Sequence, residues 1–280
     1  MNTIKLVFLL ASMTGILLFI GGLVGGRLGV VAALAAAAVM NLGSYWYSDS
    51  LILKMYKARE VSETQAPAVY AAVKNLSARA QLPMPRVYTI PGNSPNAFAT
   101  GRDEHHAAVA VTDGIVKILN REELEGVIAH ELSHIKNRDI LISSVAATMA
   151  GAIVMVANVA KWGALFGGDT GEGGTIGAIA TAVVAPIAAT IIQMALSRSR
   201  EYLADEGGAR VAGSPYGLAS ALSKLAKASR EIPLDANPST AHLFIVNPLS
   251  NSLVLNLFST HPPLEKRIAR LMKGVEKRYQ

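Results

Sequence analysis

NREELEGVIAHELSHIKNRDILISSVAATMAGAIVMVANVA, residues 120–160, joins two kinds of order in one run. Its first part is polar. Asn120 with Glu123 three residues on is a helix-start pair, and His130, Glu131 and His134 follow in the same segment. Its second part, Ile140–Ala160, is 21 residues without an Asp, Glu, Lys or Arg. About 20 apolar residues suffice to cross a ~30 Å hydrocarbon layer as a helix. A polar helix leading into an apolar span predicts a folded domain built onto membrane helices.

Three more blocks of the same length and character lie outside this run: Leu6–Gly26, Leu28–Ser48 and Ile176–Leu196. They account for a chain that is 51% hydrophobic and only 16% charged, where about 25% charged is usual. Gly25-Gly26-Arg27 leaves room only for a tight turn, so the first two blocks predict a helical hairpin. Two other readings compete there. Leu6–Gly26 follows Lys5 as a signal peptide would, but is long for one and lacks a small-x-small cleavage site. Leu28–Ser48 is Ala-rich enough for a buried soluble helix, but ends in Tyr45-Trp46-Tyr47, rings that favour the headgroup level. Gly151, Asn158 and Pro186 weaken the last two blocks, and spans packed on other helices tolerate such residues.

Four spans divide the chain into a transmembrane hairpin at 1–50 (6–26 and 28–48), a polar part at 51–139, a second hairpin at 140–196 (140–160 and 176–196) and a second polar part at 197–280. The two polar parts hold 11 and 12 of the 26 Lys and Arg residues. The positive-inside rule places both, with the N-terminus, on the cytoplasmic side of a multi-pass protein. That distribution explains the net charge of +6 without a nucleic-acid partner. The basic C-terminal run, which includes Lys266, Arg267 and Arg270, reads as a solvated helix face or a contact with anionic headgroups. The absence of cysteine excludes thiolate metal sites and thiol nucleophiles.

Within the polar parts, Ser62-Glu63-Thr64-Gln65 predicts a capping box opening a helix with Val69, Val73, Leu76 and Ala80 on one stripe. Residues 86–90, 96–100 and 107–112 predict three strands. Ser214-Pro215 opens a helix buried through Leu218, Leu222 and Leu225. The fold class expected is mainly α with a small β-sheet.

His130 and His134 stand four apart, so their imidazoles leave one side of a helix and can bind one Zn²⁺, with Glu131 beside them to accept a proton from a zinc-activated water. A catalytic zinc needs a third protein ligand and an open position. Ile135-Lys136-Asn137-Arg138 after His134 rules out the metzincin extension. Glu201 is the leading candidate, against the reading of an exposed carboxylate between arginines; Asp205, one turn on, could accept the second N–H of a ligand histidine. On continuous helices His134 would lie about 9 Å before the third span and Glu201 about 8 Å after the fourth. Antiparallel spans would then bring both to one height. His105, His106 and His242 have no partner spacing and read as surface or strand residues.

These pieces, with Asn96–Gly101, Ser197–Asp205 and Thr260-His261-Pro262-Pro263, resemble the HtpX family of bacterial membrane-bound zinc metallopeptidases, gluzincins related to the type I CAAX prenyl proteases. The resemblance covers nearly the whole chain. It implies one Zn²⁺ per chain held by His130, His134 and Glu201, with Glu131 catalytic and Asp205 behind the ligands. It implies that Asn96, Ala97 and Phe98 lie on an edge strand that pairs with substrate, although as sequence they are simply a short strand after a turn. It implies that His261 stabilises the oxyanion, although a helix-start residue reads the same way. It further implies endopeptidase action on misfolded or damaged membrane proteins and unfolded chains, as quality control and stress response in the bacterial cytoplasmic (inner) membrane, with the peptidase domain cytoplasmic.

Overall fold

The structure, a computed structural model, describes residues 2–151, 198–231, 243–245 and 262–276. The block Ile176–Leu196, the second half of Ile140–Ala160, His242 and His261 lie outside the described residues.

Helix α1 (Asn2–Met55) is two helices merged across a sharp reversal at Gly26, φ 57° and ψ −137°. Gly21 and Gly29 face each other across the turn so closely that a Cβ on either would strike the other's backbone. Further along, Asn41 Nδ2 donates to Thr14 Oγ1 at 3.0 Å. The expected hairpin is therefore present, closed by small residues that let the backbones approach. Its second arm, Gly25–Met55, is long and apolar enough to cross a membrane, whereas Ile4–Phe19 and Ile140–Gly151 are shorter apolar helices. Leu28, Val31, Leu34, Val39 and Leu42 are exposed along the second arm.

That arm does not stop at Ser48. It continues to Met55 because Ile52 and Leu53 are buried against the sheet of the polar domain. The sheet contains β1 (Arg59–Glu60), β2 (Arg86–Ile90), β3 (Ala97–Gly101) and β4 (Ala107–Thr112) in the order β1-β2-β4-β3. β2 and β4 are parallel, and the outer pairs are antiparallel. β1 carries no apolar alternation in its two residues and was not legible as a strand. Both faces of the sheet are covered, which is why β3 and β4 are buried at every position. One face, including Val87, Ala97, Ala99, Val109 and Val111, packs on the helical core. The other, with Tyr88, Ile90, Phe98 and Ala110, packs on Ile52, Leu53 and Ala147 of the apolar helices.

Helix α2 (Pro67–Ala80) starts later than the Ser62–Gln65 pattern predicts. Gln65 Oε1 does accept the Ser62 N–H at 2.9 Å, but the box closes only a turn. The helix begins with Pro67, whose fixed φ and missing N–H suit a first turn. After the short α3 (Asp113–Ile118), α4 (Arg121–Lys136) opens on the full Asn120–Glu123 capping box. α6 (Arg198–Ala212), α7 (Tyr216–Glu231) and α8 (Leu264–Glu276) are the remaining described helices of the domain. Leu218, Leu222 and Leu225 of α7 are fully buried, as the sequence pattern requires.

The helix carrying the histidines does not run on into the apolar helix. It ends at Lys136, Arg138 adopts φ 58°, and α5 (Ile140–Gly151) begins afresh. Asp139 stands at the break, with its N–H donating to His134 O and its carbonyl accepting from Ser143 N. The left-handed residue is what turns the chain. The 9 Å measured along a continuous helix therefore does not apply.

Candidate metal centre

Helix α4 presents His130, Glu131 and His134 towards α6, and the crossing is close because it is lined by glycine. A Cβ on Gly208 would lie 2.8 Å from His130 N, and one on Gly207 would lie 2.8 Å from Ser133 Oγ. With no side chain in the way, Glu201 and Asp205 of α6 reach the histidines. His130 Nε2 and His134 Nε2 are 3.2 Å apart. His134 Nε2 lies 3.5 Å from Glu201 Oε1, and His130 Nε2 lies 3.8 Å from Glu201 Oε2. A tetrahedral ion with bonds of about 2.1 Å holds its ligand atoms about 3.4 Å apart. Among the described residues these three form the group able to hold a metal, and their spacing fits one.

Each histidine turns its other nitrogen to a carboxylate. His130 Nδ1 is 3.0 Å from Asp205 Oδ1, and His134 Nδ1 is 3.3 Å from Asp139 Oδ2. Each carboxylate meets an arginine. Arg267 of α8, with no exposed surface, grips Asp205 through Nε at 2.9 Å and NH2 at 2.7 Å. Arg200 NH1 is 3.3 Å from Asp139 Oδ1. Arg267 NH1 also lies 3.7 Å from Glu201 Oε2 and donates to Ile245 O at 3.0 Å. Thus Arg267 is neither a solvated nor a lipid-facing residue, because an acidic pair inside the domain claims its guanidinium. Arg270 stays on the surface, paired with Glu206 at 3.0 Å and stacked over Tyr202.

The electrostatics favour a cation. Buried in one place are four acidic side chains, Glu131, Asp139, Glu201 and Asp205, beside the guanidinium groups of Arg200 and Arg267. Burial pushes His130 down to about 4, against its bond to Asp205 and with help from Arg267, so it offers a neutral imidazole. Burial opposes charge on His134 too. There the Asp139 bond and the charges of Glu201 and Glu131 prevail and raise it to about 9, so without a metal a proton supplies the positive charge. Burial lifts Glu131 to about 8, with Glu201 adding to the rise and His134 opposing it. The nearby Ala99 backbone opposes the rise, which sets the carboxyl beside strand β3.

Among the described residues β3 is the last strand of the sheet. Thr112 N donates to Asn96 O, so the backbone groups of Asn96 and Phe98 turn towards β4, and those of Ala97 and Ala99 turn outwards. Ala97 O accepts from Ile245 N at 3.3 Å. The Phe98 ring is fully buried between Tyr56 and Phe244, with centroids 5.9 Å and 5.5 Å away. Asn96 Oδ1 accepts its neighbour's N–H. His105 and His106 lie exposed away from the centre.

Paired helical histidines, an adjacent buried glutamate and a glutamate from a second helix define the metallopeptidase class. The comparisons name the family. The chain matches the model of peptidase family M48 over residues 63–275, and it belongs to that family of zinc metallopeptidases. It is 58% identical to a protease HtpX homolog of Desulforapulum autotrophicum, over 98% of this chain and 90% of that one. It is 56% identical to another of Thermococcus kodakarensis, over 96% and 94%. The crystal structure of S. mikatae Ste24p shares the fold, with a TM-score of 0.50 and 16% identity over 96% of this chain; the match spans 65% of that longer chain. With an apolar helix of spanning length, the coarse description is a membrane-associated metallopeptidase.

Sequence reasoning missed Asp139, Arg200 and Arg267. Asp139 was hidden by assuming one continuous helix. Arg267 was hidden by a basic run that looks uniform until Asp205 is known to lie opposite.

Proposed function

We propose that the chain is a membrane-integrated zinc endopeptidase that cuts misfolded or damaged membrane proteins, and unfolded chains, at the cytoplasmic face of the bacterial cytoplasmic membrane. The convergence of His130 Nε2, His134 Nε2 and the Glu201 carboxylate at ligand-to-ligand spacing carries the reading. These three residues would hold one Zn²⁺ per chain, which when bound supplies Lewis-acid polarisation of a peptide carbonyl and a water of lowered pKa. Glu131 accepts the proton from the attacking water and returns it to the leaving amine. The outward N–H and C=O groups of Ala97 and Ala99, beside Glu131, suit a substrate strand laid along β3. For that, the substrate must displace the bond from Ile245 N to Ala97 O. His261 would face the developing oxyanion; support comes from Arg267, six residues on in sequence, which reaches the centre.

The membrane location of the substrate is supported by the way Ile52 and Leu53, at the end of the spanning-length helix, pack directly on the sheet that carries β3. The test is cleavage of one polypeptide in two forms, soluble and fused to a membrane anchor, by enzyme reconstituted in proteoliposomes. The reading expects the anchored form to be cut at least several-fold faster, and equal rates would count against it.

A further inference from the structure

Each candidate ligand histidine turns its Nδ1 to a buried carboxylate that in turn meets an arginine, by two bonds at Asp205 and by one at Asp139. Asp205 takes His130 Nδ1 and is gripped by Arg267. Asp139 takes His134 Nδ1 and meets Arg200. In both cases Nε2 is left facing Glu201. We propose that Asp139, held by Arg200, is the positioning residue of His134, so that the centre is clamped by two Arg–Asp–His relays rather than by Asp205 alone. The inference rests on His134 being a metal ligand.

Three observations carry it. Asp139 is buried, and its two oxygens divide between His134 and Arg200, as a carboxylate that fixes a ring should. It can do so only because Arg138 turns the chain at φ 58°; a continuous helix would carry residue 139 away from residue 134 on the helix surface. And Arg200 immediately precedes Glu201, so one segment of α6 supplies both the third ligand and the group that secures the second ligand's partner. An Nδ1–H bonded to a carboxylate fixes which nitrogen is free for a metal and raises its basicity.

Asp139 also stands at the start of α5, so a purely structural role as helix cap must be separated from positioning. Asn caps a helix about as well as Asp but brings no charge to the histidine or to Arg200. Full-length wild type, Asp139→Asn, Arg200→Gln and His134→Ala would be purified in detergent. Zn²⁺ affinity would be measured by competition with a chromophoric chelator, with far-UV circular dichroism of each metal-free protein alongside.

Asp139→Asn is expected to keep the wild-type spectrum and to bind Zn²⁺ about 10- to 100-fold more weakly, with Arg200→Gln weakened in the same direction. Asp139→Asn binding Zn²⁺ within twofold of wild type, while His134→Ala has lost it, would overturn the relay and leave the ligand set standing. Wild-type affinity in His134→Ala would instead overturn the ligand set on which the relay rests.

Discussion

Glu131 is buried among the ligands and beside the Ala99 backbone of β3, a place that suits proton transfer and is not needed for metal binding. Replacing it by Gln should therefore leave metal content intact and lower turnover by about 10²–10⁴-fold, the range for a general base. At this scale the sequence was informative where chemistry depends on spacing within one helix: His130, Glu131 and His134 could be read directly. Glu201 and Asp205 were legible once a second helix was required. Asp139, Arg200 and Arg267 were not, because their partners lie across a helix break or on another element, and no local period marks such a meeting.

Two helix contacts decide whether the ligands meet. The first is the crossing of α4 and α6 at Gly208. A methyl group there would press within 2.8 Å of His130 N, a backbone atom that cannot rotate aside. Gly208→Ala is expected to cost about 1–3 kcal/mol in denaturant unfolding, as overpacking does, and to weaken metal binding because it moves Glu201 away from α4. The second is Glu123, which closes the α4 capping box and accepts from Ser220 Oγ at 2.7 Å and Lys224 Nζ at 2.8 Å on α7.

Burial works to raise the Glu123 pKa above the ordinary 4.5, but the bonds from Lys224, Ser220 and Asn120 outweigh it and hold it lower. A carboxyl whose folded pKa is depressed contributes stability that is fully present above the unfolded value and is lost as pH falls through the folded one. Glu123→Gln should thus lose about 1–2 kcal/mol at neutral pH and show a shallower fall in stability than wild type below about pH 4.5, read by unfolding at a series of pH values. The Asn120 start was plain in the sequence because a capping box is local. The true start of α2 at Pro67 was not, because Ser62–Gln65 carries the same pattern and only closes a turn.

Across the whole molecule, the hairpin is a structural member of the domain. Its second arm enters the polar domain through Ile52 and Leu53, and its first arm packs Leu9 and Met13 on Ile142, Val145 and Met149 of α5. Hydropathy showed that an apolar helix was there, but not that it runs on to Met55. The extra residues 49–55 are fixed by a sheet face whose partner the sequence does not name. Metal should act as a staple between α4 and α6. At free metal about 1,000-fold above its dissociation constant, binding adds about 4 kcal/mol. Stripping it with a chelator is then expected to lower the detergent-solubilised protein's melting temperature by about 10 °C, and re-addition of Zn²⁺ should restore it.

The most direct test is zinc content and proteolysis measured together on purified wild type, Glu131→Gln and Glu201→Gln. The geometry predicts one zinc per chain with activity in wild type, one zinc without appreciable activity in Glu131→Gln, and a large loss of both in Glu201→Gln. A Glu131→Gln protein that keeps its zinc and its full proteolytic rate would contradict the account.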